Sequence, residues 1–123
     1  MPAPSRLLIH SIRDATIVNF QDSSILDTLQ IEQIGEALYD LIENRNRKKI
    51  VLDFEKVQFL SSSALGVLIT LRKKADAIKG KVAICGMKKD LKKVFEITRL
   101  DRMFDFYADE EKALASFGIT TAG

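Results

Sequence analysis

The most informative part of this chain is residues 50–69, which read IVLDFEKVQFLSSSALGVLI. An apolar run over residues 50–54 is interrupted only by Asp53, which is typical of a central strand buried on both faces of a sheet. Three serines follow at residues 61–63, and apolar residues at helical spacing begin directly after them. The segment therefore predicts a buried strand that leads, through a tract of hydroxyl side chains, into a helix.

The sequence before this segment predicts a hairpin and a helix. Residues 7–12 and 15–20 are short runs rich in Ile, Leu and Val, separated by two polar residues, and they indicate two antiparallel strands. A polar loop over 21–26 leads to Asp27 or Thr28, either of which is a good N-cap. Apolar residues at helical spacing follow and predict an amphipathic helix.

The sequence after the serines continues the alternation of helices and strands. We expect the second helix to end at Gly80, a strand over 82–85 and a third helix capped by Asp90. A weak edge strand over 104–107 and a short helix over 109–117 complete the order ββαβαβαβα. This order predicts an α/β fold, a mixed β-sheet with an N-terminal hairpin and parallel strands, flanked by about four α-helices.

Length and composition favour one globular domain. The chain has 123 residues, of which 46% are hydrophobic, and we expect a flexible arm over 1–6, a domain over 7–117 and a tail over 118–123. Nineteen basic and 17 acidic residues leave a net charge of +2, which gives no support for binding nucleic acid or a membrane surface. No apolar run is long enough for membrane insertion and no signal core follows Met1, so we expect a cytoplasmic protein.

The chain has few of the side chains that enzymes commonly use for catalysis, which argues against an enzyme. Cys85 is the one cysteine and His10 the one histidine, so an internal disulfide and a cluster of cysteine or histidine metal ligands are both excluded. A serine hydrolase needs an oriented base, and the chain has no Gly-x-Ser-x-Gly turn to present a nucleophile. We therefore expect no catalytic residue and no cofactor.

The serine tract leaves two interpretations open. One serine is enough to cap a helix, and a plain capping cluster would account for the tract by spacing alone. In open α/β sheets, however, binding sites gather beyond the carboxyl ends of strands, where a helix N-terminus tolerates a phosphate group. Three hydroxyls at such a position therefore also suit a phosphorylation site.

Residues 50–54, Val57 and residues 59–66 resemble the core signature of STAS domains, and most of all the stand-alone bacterial anti-sigma factor antagonists. The family pattern is a hydrophobic strand with an internal Asp, then Asp-Ser-Ser/Thr-Gly-Leu-Gly at the start of a helix. A second stretch, Ser24-Ile-Leu-Asp27, is similar to the family's Gly-Glu-Leu-Asp. The resemblance covers roughly residues 7–117.

The resemblance implies partner switching. Alignment on Leu65-Gly66 makes Ser62 the phosphorylated serine, and Gly66 would permit close packing of the helix. The unphosphorylated domain would bind an anti-sigma factor that is a serine kinase of the histidine-kinase-like ATPase fold, and a PP2C-type phosphatase would reverse the modification. ATP and Mg²⁺ would belong to the kinase. The partner-binding residues implied are Asp22, Ser23, Ser24, Asp27, Ser61, Ser63, Ala64 and Gly66.

The sequence departs from the family pattern at two positions, and the first departure favours an alternative. Ser61 replaces the Asp that usually precedes the phosphorylated serine, and Ala64 replaces the first Gly. The change at position 61 removes a negative charge that a kinase could recognise. The chain could instead be a constitutive STAS scaffold subunit of a lipid-transport or sensory complex, without phosphorylation.

Overall fold

The computed structural model describes residues 7–120. The strands are β1 (Leu7–Ile12), β2 (Ala15–Phe20), β3 (Ser24–Ile25), β4 (Lys49–Asp53), β5 (Phe59–Leu60), β6 (Lys81–Cys85) and β7 (Asp105–Tyr107). The helices are α1 (Thr28–Glu43), α2 (Ser62–Ala77), α3 (Lys89–Ile97) and α4 (Glu110–Ser116), with a 3-10 turn at Leu100–Arg102. The flexible arm predicted for residues 1–6 lies outside the described residues.

The main sheet has the order β1-β2-β4-β6-β7. Strand β1 pairs antiparallel with β2, whereas β2, β4, β6 and β7 run parallel to one another. The structure therefore confirms the predicted mixed α/β sheet with its N-terminal hairpin. Helices connect the parallel strands, so the carboxyl ends of β2, β4 and β6 lie at one edge, where ligands and partners usually bind in such folds.

The two faces of the sheet have separate cores because alternate side chains of a strand point in opposite directions. Ile50 and Leu52 pack with residues of α1, α2 and α3, and Val51 packs on the other face with Ala113 and Leu114 of α4. All five of these residues are at most 1% exposed. Asp53 follows the same alternation and points toward the α4 face.

Four local features differ from the sequence-based expectations. The predicted loop over 21–26 contains β3, and a further strand, β5, precedes the serines. Both strands have only two residues, which is too few to show the alternation of apolar and polar side chains that identifies a strand in a sequence. Asp90 does not cap α3, because the helix starts one residue earlier and Lys88 occupies the N-cap position without a side-chain hydrogen bond. Ile119 is 3% exposed and packs beside α4, although it lies in the segment predicted as a tail.

The end of α2 also differs in detail. The helix stops at Ala77, and Lys79 adopts the left-handed conformation with φ of 61°. Gly80 is needed for space, because a Cβ atom there would lie 2.7 Å from the backbone oxygen of Lys48. The predicted stop is thus in the right place, but a close backbone approach explains the glycine.

Candidate functional site at the start of α2

The short strands β3 and β5 join two distant parts of the chain into one surface. They pair in parallel, with Ser24 opposite Phe59 and Ile25 opposite Leu60. The backbone N–H of Ser61 then donates to the oxygen of Ile25 at 3.1 Å. This pairing holds the loop before α1 directly beside the serine tract.

Ser61 is the N-cap of α2. Its backbone is extended, with φ of −82° and ψ of 167°, and its Oγ accepts a hydrogen bond from the Ala64 N–H at 3.1 Å. This hydrogen bond satisfies one of the N–H groups that the first helical turn leaves without a partner. The capping interpretation of the tract therefore accounts for Ser61, and for Ser61 alone.

Ser62 and Ser63 are exposed and belong to the first turn of the helix. Within residues 7–120, neither hydroxyl makes a hydrogen bond to another protein group. The fold does not use these two hydroxyl groups, so a modifying enzyme or a partner protein can reach them. The positive end of the α2 dipole and the unpaired N–H groups of its first turn lie directly beneath them.

The loop before α1 is fixed by a small hydrogen-bond network. Asp27 caps α1 by accepting from the Gln30 N–H at 3.0 Å. The Gln30 side chain donates to Asp22 Oδ2 at 2.9 Å and to the Ser24 oxygen at 3.2 Å. Ser23 accepts at its backbone oxygen from Gln58 and is itself exposed. The four predicted loop residues thus lie together, and each accepts a hydrogen bond that helps to fix the loop.

The structure corrects the expected roles of two residues in α2. Ala64 is 5% exposed and faces the core, so its side chain does not belong to a surface that a partner contacts. Gly66 is not required by close packing, because an added Cβ would meet no atom within 4 Å. Gly66 lies one turn after Ser62, and the space that a side chain would occupy there is open; we call this space the gap at Gly66.

Three exposed apolar side chains near the serines were missed by sequence reasoning. Leu26 is 55% exposed, Leu29 44% and Phe59 57%. Phe59 faces outward, whereas Ile25 and Val57 are buried. Leu26 follows β3, Leu29 lies in the first turn of α1 and Phe59 belongs to β5; we call these three residues the apolar rim.

The electrostatic setting of the serines is simple. Asp22 and Asp27 are the acidic residues of the adjoining loop, and neither residues 21–32 nor residues 57–71 contain a lysine or arginine. A phosphate group here would meet helix N–H groups and water, with no cation from these two segments to hold it.

His10 lies apart from the serines. It belongs to β1 and lines a cleft with Thr16 and Arg47.

Comparison with known proteins gives a consistent picture. The family model described as the STAS domain matches residues 7–113. BtrV of Bordetella bronchiseptica, a candidate anti-sigma factor antagonist, is 25% identical over 93 residues, which cover 76% of this chain and 79% of BtrV. The anti-sigma F factor antagonist of Paenibacillus polymyxa is 24% identical over 99 residues, which cover 80% and 85% of the two chains.

Solved structures share the fold. An anti-sigma-factor antagonist (STAS) domain protein from Planctomyces limnophilus superposes with a TM-score of 0.82 at 20% identity, over 93% of this chain and 98% of the other. The anti-sigma factor antagonist SpoIIAA in its unphosphorylated form gives a TM-score of 0.73 at 20% identity, over 92% of this chain and 98% of SpoIIAA.

Within residues 7–120, no helix is long and apolar enough to cross a bilayer.

Proposed function

The chain belongs to the STAS domain family, and we propose that it is an anti-sigma factor antagonist that works by partner switching. In this proposal it binds an anti-sigma factor serine kinase while Ser62 is unmodified and is released when Ser62 is phosphorylated. The names of the two curated relatives support the general role. The observation that carries the switch is the exposed Ser62 hydroxyl, which makes no hydrogen bond within residues 7–120.

The hydrogen bonding at the tract supports Ser62 rather than Ser61 as the acceptor. The Ser61 oxygen is half-buried and occupied by the Ala64 N–H, so its modification would sacrifice the cap of α2. Ser63 is as exposed as Ser62 and equally free of hydrogen bonds to described residues. The choice between these two rests on the family pattern, which aligns the phosphorylated serine with Ser62.

A phosphate on Ser62 would change the surface and leave the fold intact. It adds about −1.5 to −2 charges and three acceptor oxygens, which the free N–H groups of the first turn and the surrounding water can solvate. A partner packed against the apolar rim and the gap at Gly66 would have to desolvate that charge without a cation from the adjoining segments. The complex would therefore lose far more free energy than the free domain.

The two departures from the family pattern are compatible with this mechanism. Serine and aspartate are both good N-caps, so Ser61 keeps the structural role of the residue it replaces. The methyl group of Ala64 fits into the core of the domain beside Phe20 and Ile25. Neither change blocks access to Ser62, although the first alters the charge that a kinase would recognise.

The remaining parts of the proposal concern partners and location. We assign no catalysis to this chain: the kinase would supply ATP and Mg²⁺, and a PP2C-type phosphatase would remove the phosphate. Of the predicted contact residues, Asp22, Ser23, Ser24, Asp27, Ser61, Ser63 and Gly66 remain in the proposed surface, and the apolar rim joins them. The switch would operate in the cytoplasm.

The direct test is phosphorylation by an anti-sigma factor serine kinase from the same organism, beginning with kinases encoded near this gene. The purified protein is incubated with that kinase and ATP, and the modified residue is mapped by mass spectrometry. We expect one phosphate on Ser62, none after Ser62→Ala, and unchanged phosphorylation of Ser63→Ala, which is the matched control at an equally exposed serine. Modification outside residues 61–63, or a Ser62→Ala protein that is modified as before, would reject the switch.

The constitutive scaffold remains the second candidate, and the missing acidic residue at position 61 favours it. In that case the domain would co-purify with a transporter ATPase or a sensory complex, and the binding would not change with the phosphorylation of any serine. Co-purification from cells with and without the anti-sigma factor kinase separates the two proposals.

A further inference from the structure

At the carboxyl ends of β2 and β4, one amide group bridges two carboxylates. Asn19 Nδ2 donates to Asp53 Oδ2 at 3.0 Å and to Glu110 Oε2 at 3.4 Å. The Asn19 carbonyl oxygen accepts from the Gln21 side chain, which fixes the orientation of the amide. Asp53 and Glu110 are therefore neighbours that share a single neutral donor, although Glu110 belongs to α4.

Burial makes a second negative charge costly at this position. Asp53 is 4% exposed, and its other oxygen accepts from the Glu55 N–H at 2.9 Å. Burial, and then hydrogen bonding with Glu110, raises the pKa of Asp53 from its ordinary 3.8 to about 6. Asp53 is thus suited to holding a proton that it donates in a hydrogen bond to Glu110.

The surrounding charges do not neutralise the pair. Its cleft is lined on every side by titratable or charged groups, namely Glu55 after β4, Lys88 and Lys89 at the start of α3, Tyr107 of β7, and Asp109 and Glu111 at the start of α4. Cys85, beside Asp53 in the sheet, stays neutral because burial raises its pKa. Among described residues, no lysine or arginine lies within 4.0 Å of either carboxylate, and the Lys88 ammonium instead donates to the Glu55 backbone oxygen.

We propose that Asn19, Asp53 and Glu110 form a proton-dependent latch that holds the start of α4 on the sheet. With one proton on the pair, the carboxyl groups hydrogen-bond to each other and to Asn19. With both ionised, two like charges face each other in a partly buried site, and the first turn of α4 separates from the sheet. The buried residues of this seven-residue helix, Ala113 and Leu114, lie after its first turn, so the first turn has no buried apolar side chain to hold it on the sheet.

The direction of the pH effect follows from the raised pKa. Between pH 3.8 and about 6 the folded protein binds more protons than the unfolded chain. The stabilisation from the latch is therefore fully present at acid pH and is lost as the pH rises through about 6. The proposal does not involve Ser62 and is independent of partner switching.

Hydrogen exchange followed by mass spectrometry tests the latch. Protection of the α4 amides is compared at about pH 5 and about pH 7.5, after correction for intrinsic exchange, with α1 as the internal reference. We expect protection of α4 relative to α1 to fall by up to roughly tenfold at the higher pH, because pH 5 lies one unit below the raised pKa of Asp53, about 6.

Variants in which an uncharged amide replaces one carboxylate test whether the pH effect comes from this pair. Asp53→Asn should abolish the fall, because it removes the titrating carboxyl group. Glu110→Gln should make the fall smaller, because burial alone still raises the pKa of Asp53. Glu111→Gln, which makes the same charge change one residue along, should behave like the wild type. A fall of wild-type size in Glu110→Gln, or a reduction that Glu111→Gln produces equally, would overturn the proposal. If Asp53→Asn fails to fold, the comparison of Glu110→Gln with Glu111→Gln still decides.

Discussion

The start of α2 and the end of β4 both lie at the carboxyl edge of the sheet, but they differ in the free-energy cost of placing a negative charge there. At Ser62 the side chain is exposed, unpaired within the described residues and next to free helix N–H groups. At Asp53 the carboxylate is 4% exposed and faces a second carboxylate. The comparison shows that access to water and to donors decides whether charge can be added without unfolding the domain.

Phe54→Ala should have the largest effect, because Phe54 supports both regions. Phe54 is fully buried next to Asp53, and its ring centroid lies 4.7 Å from that of Phe20 beneath the serine site. We expect a loss of about 3–5 kcal/mol in the free energy of unfolding, measured by chemical denaturation. Phe59→Ala is the matched control: it removes a 57% exposed ring and should cost roughly 0.5 kcal/mol or less. Equal losses would contradict the assignment of these two rings.

Ser61→Ala should have an intermediate effect and separates the cap from the acceptor. Loss of the hydrogen bond to the Ala64 N–H should destabilise the protein by about 1 kcal/mol in the same assay. Ser61→Asp should restore most of this stability, because aspartate also accepts from the first turn. Ser62→Ala should leave stability unchanged; a loss as large as that of Ser61→Ala would show that Ser62 has a structural role.

Gly66→Ala should have the smallest effect on stability, and of opposite sign. Because a Cβ at Gly66 meets no atom within 4 Å, alanine should stabilise α2 by about 0.5–1 kcal/mol through its better helix propensity. Binding to the kinase should weaken, since the methyl group occupies the gap proposed for the partner. Gly80→Ala is the control that should destabilise, because its Cβ would lie 2.7 Å from a backbone oxygen. Unchanged binding by Gly66→Ala would remove Gly66 from the proposed surface.

The parts of the structure that depend on local sequence were predictable. The hairpin, a cap at Asp27 or Thr28, a capping serine within residues 61–63 and the buried β4 strand are each encoded within a few adjacent residues; the structure identifies the caps as Asp27 and Ser61. Capping at Asp90 was predicted incorrectly because the start of α3 is fixed by packing of Leu91 and Phe95, not by a side-chain cap.

The parts that depend on distant contacts were not predictable. The apolar rim depends on the two-residue strands β3 and β5, whose pairing brings Phe59 beside Ser24. The latch depends on a contact between Asn19 and Glu110, which are 91 residues apart. Neither contact leaves a pattern within one segment of the sequence, so each became visible only with the fold.

The central claim is that charge on Ser62 disrupts a complex and spares the domain. The most direct measurement uses protein phosphorylated only on Ser62, with its affinity for the anti-sigma factor kinase and its melting temperature compared with those of the unmodified protein. We predict that affinity falls at least tenfold, about 1.4 kcal/mol, while the melting temperature changes by less than about 3 °C. Unchanged affinity, or a loss of affinity that accompanies unfolding, would contradict it.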